Sequence, residues 1–270
     1  MLGASRESLA TVRRSLTERL GSAAGLDTLA DELFAVARLL GREKALRGLL
    51  SDAGTGSERK AALVTSLLTG KVGAATLEVV NEAVTARWSS GRDLVDSVEI
   101  LGFQTVFTAA EAAGDLDTVE DELFRFGRTV QAEAGLRALL TDLSVTGEAK
   151  TAVLRDLLAA KARPATVRLL EQVVTDPRGR KIEDSIARLV ELAAERRQRL
   201  MAVVRVAAPL EAAQERRLAD SLGRLYSRDI QLHVVVDPTV LGGAVVRVGD
   251  EVLDGSIVRR LEQVRQRLVA

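Results

Sequence analysis

The sequence predicts a mainly α protein in which two tandem homologous helical bundles are followed by a small α/β C-terminal domain. Three observations predict this fold class. A stretch of about 90 residues occurs twice in tandem, apolar residues in both copies recur with helical spacing, and alternating apolar runs typical of strands begin only after residue 200. The predicted domains are residues 1–98, 99–195 and 196–270.

The tandem repeat is visible by eye. LDTLADELF at residues 26–34 is matched by LDTVEDELF at residues 116–124, an offset of 90 residues. In this register, 24 of the 60 residues from Leu26 to Thr85 are identical to their counterparts in the second copy. Solenoid repeats span about 20 to 50 residues, so we interpret this longer unit as the duplication of a whole small domain.

The helices of each copy are predicted from apolar stripes and from residues typical of helix ends. The stripes are Leu29, Leu33, Val36 and Leu40 in the first copy, and Val119, Leu123, Phe126 and Val130 in the second. The predicted starts are N-caps at Asp27 and Asp117, later helices opening at Ser57 and Gly147, and a first-turn proline at Pro164. Each copy should therefore form a compact bundle of five or six helices.

The C-terminal region alternates strands with helices. MAVVRVAAPL predicts a strand ended by Pro209, and the segment that follows should be a helix with Leu218, Leu222 and Leu225 on one face. IQLHVVVD predicts a second strand, AVVRVGDEVLDG a hairpin, and SIVRRLEQVRQRL a closing amphipathic helix. Trp88 and the five phenylalanines sit at helical spacing, and we expect them to pack in the core.

Composition excludes several classes of function. The formal charge is zero, with 38 basic and 38 acidic residues, whereas a domain that binds nucleic acid through its phosphates is normally strongly basic. The absence of cysteine excludes disulfides and thiolate chemistry, and a single histidine cannot build a histidine-rich metal site. No segment has the length and apolarity of a membrane span, so we expect no direct membrane insertion.

Motifs of enzymatic sites are equally scarce. The segment nearest to a phosphate-binding loop, residues 69–72, lacks the first glycine and the hydroxyl that such a loop needs. His233 has apolar neighbours and no acidic or serine partner at a telling spacing, so a structural histidine is favoured. Asp237, Asp250 and Asp254 are explained by turns and helix caps rather than by a metal. We therefore expect no catalytic residue, no cofactor and no metal.

The C-terminal segment, residues 237–268, closely resembles the signature of the delta subunit of F-type ATP synthases, whose mitochondrial counterpart is the oligomycin-sensitivity-conferring protein (OSCP). The residues that carry the resemblance are Asp237, Gly242, Gly243, Arg247, Gly249, Asp250, Asp254, Gly255, Ser256 and Arg260. The second repeat copy resembles the end of the family's helical domain. Residues 99–270 thus look like one complete family member, and residues 1–98 are an additional copy of its helical domain.

The resemblance implies a non-catalytic peripheral-stalk (stator) subunit, one copy per complex, bound peripherally at the cytoplasmic face of the cell membrane. In the family, the helical domain grips N-terminal helices of alpha subunits and the C-terminal domain engages the b subunits, so that proton-driven rotation is coupled to ATP synthesis. The family's alpha-binding groove lies between the first and fifth helices of the bundle. Here that places Phe103, Phe107, Val173 and Val174 at the groove.

Two questions stay open at the level of sequence. The first copy is expected to bind a helix as well, either a second alpha N-terminus or an extension of b. The alternative functions are a helical adaptor unrelated to ATP synthase and a nucleic-acid-binding helical protein, the latter suggested by ten basic against six acidic residues in 178–217. The zero net charge and the scarcity of aromatic residues argue against nucleic acid as a partner.

Overall fold

The computed structural model of the chain forms two compact units, Met1–Ala193 and Ala194–Ala270. It is mainly helical with a small sheet near the C-terminus, which confirms the predicted fold class. The residues that it describes are 3–19, 25–142, 144–158, 161–226, 230–237, 240, 242–248 and 251–254.

The first unit is built from helices joined by short turns. They are α1 (Gly3–Arg19), α2 (Leu26–Arg42), α3 (Lys44–Ser51), α4 (Ser57–Leu68), α5 (Ala74–Thr85), α6 (Gly91–Ala112), α7 (Leu116–Ala132), α8 (Ala134–Thr141), α9 (Gly147–Leu158), α10 (Pro164–Thr175) and α11 (Ile182–Leu200), of which residues 182–193 belong to this unit. Helices α1 to α5 follow the order of the first repeat copy, and α6 to α10 repeat that order in the second.

Helix α6 is shared by the two copies. It closes the first copy, where it packs against α1, α2, α3 and α5, and it opens the second, where it packs against α7 and α10. Thirteen of its 22 residues are buried, as expected for a helix that is apolar on most of its circumference. The boundary that the sequence suggested between the copies, at residues 98 and 99, lies inside this helix.

The repeat extends to individual hydrogen bonds. In the first copy, the Glu32 carboxylate on α2 accepts the backbone N–H of Gly73 at 3.0 Å, just before α5 begins. Ninety residues later, Glu122 on α7 accepts the N–H of Arg163 at 2.8 Å, just before α10. In both copies a carboxylate from the second helix satisfies the N-terminus of the fifth, where unpaired N–H groups and the helix dipole favour negative charge.

Most of the predicted helix features are confirmed. The residues of both apolar stripes are buried, and helices begin at Ser57, Gly147 and Pro164 as expected. The N-cap prediction for Asp27 and Asp117 is wrong, because the capping positions are Gly25 and Asp115 and the two aspartates lie in the first helical turn.

The aromatic residues follow the core prediction with one exception. Trp88 and four of the phenylalanines are buried, whereas Phe124 on α7 is 54% exposed. The core prediction is therefore wrong for Phe124, because α7 turns its other face, with Leu123 and Phe126, into the bundle.

A buried ionic cluster ties the turn between α10 and α11 to α6. Glu99 on α6 is fully buried and pairs with Arg178 and with Arg180, whose Nη1 lies 2.7 Å from Glu99 Oε2. Arg178 also pairs with Asp96 at 2.9 Å. Burial raises the pKa of Asp96, and the Arg178 guanidinium opposes that rise. The turn is thus held by charges that have little access to water.

The second unit is a small α/β module. It contains β1 (Met201–Val206), α12 (Ala212–Tyr226), β2 (Gln231–Val236), β3 (Ala244–Val248) and β4 (Glu251–Asp254). The sheet order is β2-β1-β3-β4, with β1 and β2 parallel and the other neighbours antiparallel.

The module confirms the predicted strands, hairpin and intervening helix. The hairpin pairs Val248 with Glu251, and its turn lies outside the described residues, as does the predicted closing helix at 256–268. On α12, Leu222 is buried against the sheet and Leu218 packs beside it. Leu225, on the same helix, is 64% exposed.

Replacing Gly102 by alanine tests the close approach of α2 to α6. A Cβ atom at residue 102 would lie 2.5 Å from Cε1 of the buried Phe34 ring, so the ring or the helix has to shift. We expect Gly102→Ala to lower the free energy of unfolding by about 1–3 kcal/mol in denaturant titrations. The matched control is Gly48→Ala in α3, where a Cβ meets no described atom within 4 Å and stability should stay level or rise slightly. Equal stability of the two variants would contradict the close packing.

Replacing Glu99 by glutamine tests the ionic cluster. The neutral amide removes the negative charge that balances the largely buried guanidinium groups of Arg178 and Arg180. We therefore expect the free energy of unfolding to fall by about 3 kcal/mol. Glu191→Gln is the control, because Glu191 is 63% exposed in its pair with Arg188 and should change stability by less than about 0.5 kcal/mol. A Glu99→Gln variant as stable as the control would show that the cluster contributes nothing.

Candidate partner interface

The predicted alpha-binding groove lies between α6 and α10, the first and fifth helices of the second copy. Phe103 and Phe107 on α6 are 4% and 0% exposed, and Val173 and Val174 on α10 are each 2% exposed. All four belong to the hydrophobic core of the first unit. The structure therefore brings them together in the core, and none of them contributes exposed surface.

Helix α2 of the first copy packs over this groove. The Phe34 ring on α2 lies with its centroid 5.3 Å from that of Phe103, at an interplanar angle of 56°. The ring rests where Gly102 has no side chain, since a Cβ there would overlap it. A tilted aromatic pair with a glycine beneath it lets the two helices approach closely.

Polar contacts continue this packing along α10. Arg168 donates to the carboxylate and the carbonyl oxygen of Asp27, and its Nε lies 3.0 Å from Asp31 Oδ1. One turn further on, the buried Gln172 accepts a hydrogen bond of 2.8 Å from Arg38 through its Oε1. Helix α2 is thus bound to both walls of the groove.

Four α2 residues make these contacts, and we call them the α2 docking face: Asp27, Asp31, Phe34 and Arg38. Their spacing of four, three and four residues places them on one side of a helix. Sequence reasoning missed this face because the charges of α2 resemble a solvated surface and Asp27 resembles a cap. The signal that could have revealed it is an aromatic residue on the charged side of an otherwise well-formed stripe.

The counterpart groove in the first copy lies between α1 and α5. Where α10 has Arg168 and Gln172, α5 has Glu78 and Glu82, ninety residues earlier. Arg19 of α1 bridges both carboxylates, at 3.0 Å to Glu78 and 3.4 Å to Glu82. Glu78 is 64% exposed and Arg19 is 42% exposed, so this groove has an accessible and partly acidic surface.

The signature residues that the structure describes in the second unit lie in its strands or directly beside them. Asp237 follows β2, and its N–H donates to the carbonyl oxygen of Val206 at 2.8 Å. Gly242 and Gly243 precede β3 and both have positive φ, 148° and 79°. The remaining described signature residues are Arg247 in β3, paired with Val203, and Asp254 in β4, paired with Val245. Those outside the described residues are Gly249, Asp250, Gly255, Ser256 and Arg260.

An apolar cleft of about 710 Å³ lies between α12 and the sheet of the second unit. Leu218 and Leu222 line it from the helix, and Val206, Val246 and Leu253 line it from the sheet. A cleft with these walls suits apolar side chains rather than a polar substrate.

Two further observations concern the described part of the chain. None of its helices combines the length and the apolarity that crossing a bilayer requires. Within the same residues, no group of three or more His, Cys, Asp or Glu side chains is arranged to hold a metal ion.

Comparison with known proteins gives a consistent result. The family model of the ATP synthase delta (OSCP) subunit matches residues 104–268. ATP synthase subunit delta of Streptomyces griseus is 48% identical over 270 residues, which cover 99% of each chain. The subunit of Streptomyces avermitilis is 47% identical over 99% of this chain and 98% of its own, and that of Thermobifida fusca is 45% identical over 99% of each.

Among solved structures, a chain of the Toxoplasma gondii mitochondrial ATP synthase hexamer is 20% identical, with a TM-score of 0.29, over 62% of this chain and 95% of its own. The bacterial relatives align over nearly the whole chain, and they therefore share the first repeat copy as well as the part that the family model matches. The chain belongs to the ATP synthase delta (OSCP) subunit family.

Proposed function

We propose that this chain is the stator subunit that links the catalytic head of an F-type ATP synthase to its membrane-anchored b subunits. In this role it holds the head still at the cytoplasmic face of the membrane, so that proton-driven rotation is coupled to ATP synthesis. The main support for this proposal is the 48% identity to an ATP synthase subunit delta along 99% of both chains. It is a structural role, for one peripheral copy per complex, with neither catalysis nor a cofactor.

The first unit has features that suit the transmission of torque. Helix α6 runs without interruption through the sequence boundary between the copies. The α2 docking face then fastens the first copy to α10 of the second, and the Glu99 cluster fastens the α10–α11 turn to α6 itself. A pair of bundles joined by a flexible linker would yield under load, whereas a shared, buried helix resists bending.

The proposed contact with the catalytic head is made by the groove between α1 and α5, which would bind an N-terminal helix of an alpha subunit. The equivalent groove between α6 and α10 is covered by α2, so a helix from outside would first have to displace it. The α1/α5 groove is accessible, and its exposed Glu78 favours a helix with basic side chains on the bound face. Helix-in-groove binding is a common recognition mode for such surfaces.

The proposed contact with the b subunits of the peripheral stalk is made by the second unit. Its cleft beside α12 is apolar, and Leu225 on the same helix is 64% exposed. An amphipathic b helix would cover apolar surface of this kind, and burying it would stabilise the complex by the hydrophobic effect.

The head contact is tested by titrating a synthetic alpha N-terminal peptide into the full-length chain by calorimetry. The full chain is needed because α6 belongs to both copies. We expect one peptide per chain, and we expect Glu78→Arg to raise the dissociation constant about tenfold by reversing the charge of the groove. Glu148→Arg on α9 serves as the control and should bind like the unmodified chain. Unchanged affinity of the Glu78→Arg variant would exclude the α1/α5 groove.

The stalk contact is tested with a soluble C-terminal segment of b. Leu225→Glu places a charge on the exposed apolar surface and should weaken binding about tenfold, while thermal stability stays close to that of the unmodified chain. The control is Leu157→Glu on α9, a leucine that is 43% exposed in the other unit. Equal loss of b binding in both variants, or in neither, would contradict the assignment to the second unit.

A further inference from the structure

Helix α7 carries a second copy of the docking face. Asp117, Asp121, Phe124 and Arg128 lie ninety residues after Asp27, Asp31, Phe34 and Arg38, respectively, and all four are identical to their counterparts. The spacing of four, three and four residues is also the same, so the four side chains share one side of α7. We call them the α7 docking face.

The two faces differ in their environment. Phe34 is 3% exposed against α6, whereas Phe124 is 54% exposed. Asp31 binds Arg168 on another helix, whereas its counterpart Asp121 is 61% exposed and pairs with Arg125 one turn away on α7 itself. Asp117 and Arg128 are exposed as well. The side chains that join α2 to two neighbouring helices are thus presented to solvent on α7.

The α7 docking face has no role in the core of its own bundle. That core is formed by the opposite stripe of the helix, which includes Val119, Leu123 and Val130, all fully buried. Phe124 lies on the other side of the helix and outside this core. It instead belongs to a set of four residues whose identical counterparts on α2 bind two neighbouring helices.

We infer that the α7 docking face binds a helical segment of another ATP synthase subunit, an inference that rests on the proposed function. The α2 interface defines the chemistry of that segment. The partner segment presents an arginine or lysine to the two aspartates of α7, as Arg168 does to those of α2. It presents a glycine or alanine to the phenylalanine, as Gly102 does. A side-chain amide or carboxylate, in the position of Gln172, accepts from Arg128.

A second copy of this chain fits the face less well. Its α6/α10 groove has the right chemistry but is covered by its own α2. Its α1/α5 groove is accessible but has Glu78 and Glu82, both paired with Arg19, where Arg168 and Gln172 stand, so the exposed Glu78 would face the aspartates of α7 in place of an arginine. Like charges directly opposite one another disfavour that pairing.

The test uses the purified ATP synthase complex with photoactivatable benzoylphenylalanine in place of Phe124, and mass spectrometry identifies the cross-linked peptide. We expect a cross-link to a helical segment of another subunit that contains a basic residue. The matched control carries the same group in place of Phe34 and should cross-link within the chain, to α6. Adding Asp117→Arg and Asp121→Arg should lower the yield from residue 124 at least about fivefold, because the two new guanidinium groups would repel the basic partner that the carboxylates attract.

Stability measurements on the free chain complete the test. Phe34→Ala should lower the melting temperature by roughly 5–15 °C, since it removes a buried ring, whereas Phe124→Ala should leave it nearly unchanged. A comparable loss in both variants would show that Phe124 serves the fold, and would overturn the inference.

The cross-linking outcomes separate this inference from the proposed function. If the chain is present in the complex but residue 124 cross-links only within its own chain or to a second copy, the inference is overturned and the stator role stands. If the chain is absent from the purified complex, both are overturned.

Discussion

The packing of α2 into the groove between α6 and α10 is the interaction on which the first unit depends. It combines a phenylalanine ring lying on a glycine with an arginine that binds two aspartates, so shape and charge select the same register. Without it, the two repeat copies would be connected mainly through α6. With it, residues 1–193 form one compact unit, which suits a subunit that transmits torque.

Helix α6 shows how a duplicated domain becomes a single body. A helix at the end of one bundle and the start of the next must satisfy two cores, and its sequence is accordingly apolar on most sides. Its one fully buried charge, Glu99, lies where Arg178 and Arg180 of the α10–α11 turn reach back to it. Removing either partner from such a cluster leaves an uncompensated charge in a poorly solvated place.

Duplication also gives one surface two environments. The four docking residues are identical on α2 and α7, yet one set is enclosed by the following copy and the other is presented to solvent. The grooves, in contrast, differ in sequence between the two copies, because α5 has glutamates where α10 has an arginine and a glutamine. An arginine and a glutamate in the same place present opposite charges to the aspartates of a docking face, so the two grooves differ in the surfaces that they can accept.

The sequence by itself determined the repeat, the helical stripes, the strands of the C-terminal module and the family, because these follow from local periodicity and from residue identity. It placed Phe103, Phe107, Val173 and Val174 at a groove, but not the helix that covers it, and it took Asp27 for a cap. Only the tertiary structure decided that α2 fills that groove and that Phe124 is exposed while Phe34 is buried. Both phenylalanines end the same four-residue sequence, DELF, so their different exposure depends on what the rest of the chain packs against them, and local sequence patterns do not contain that information.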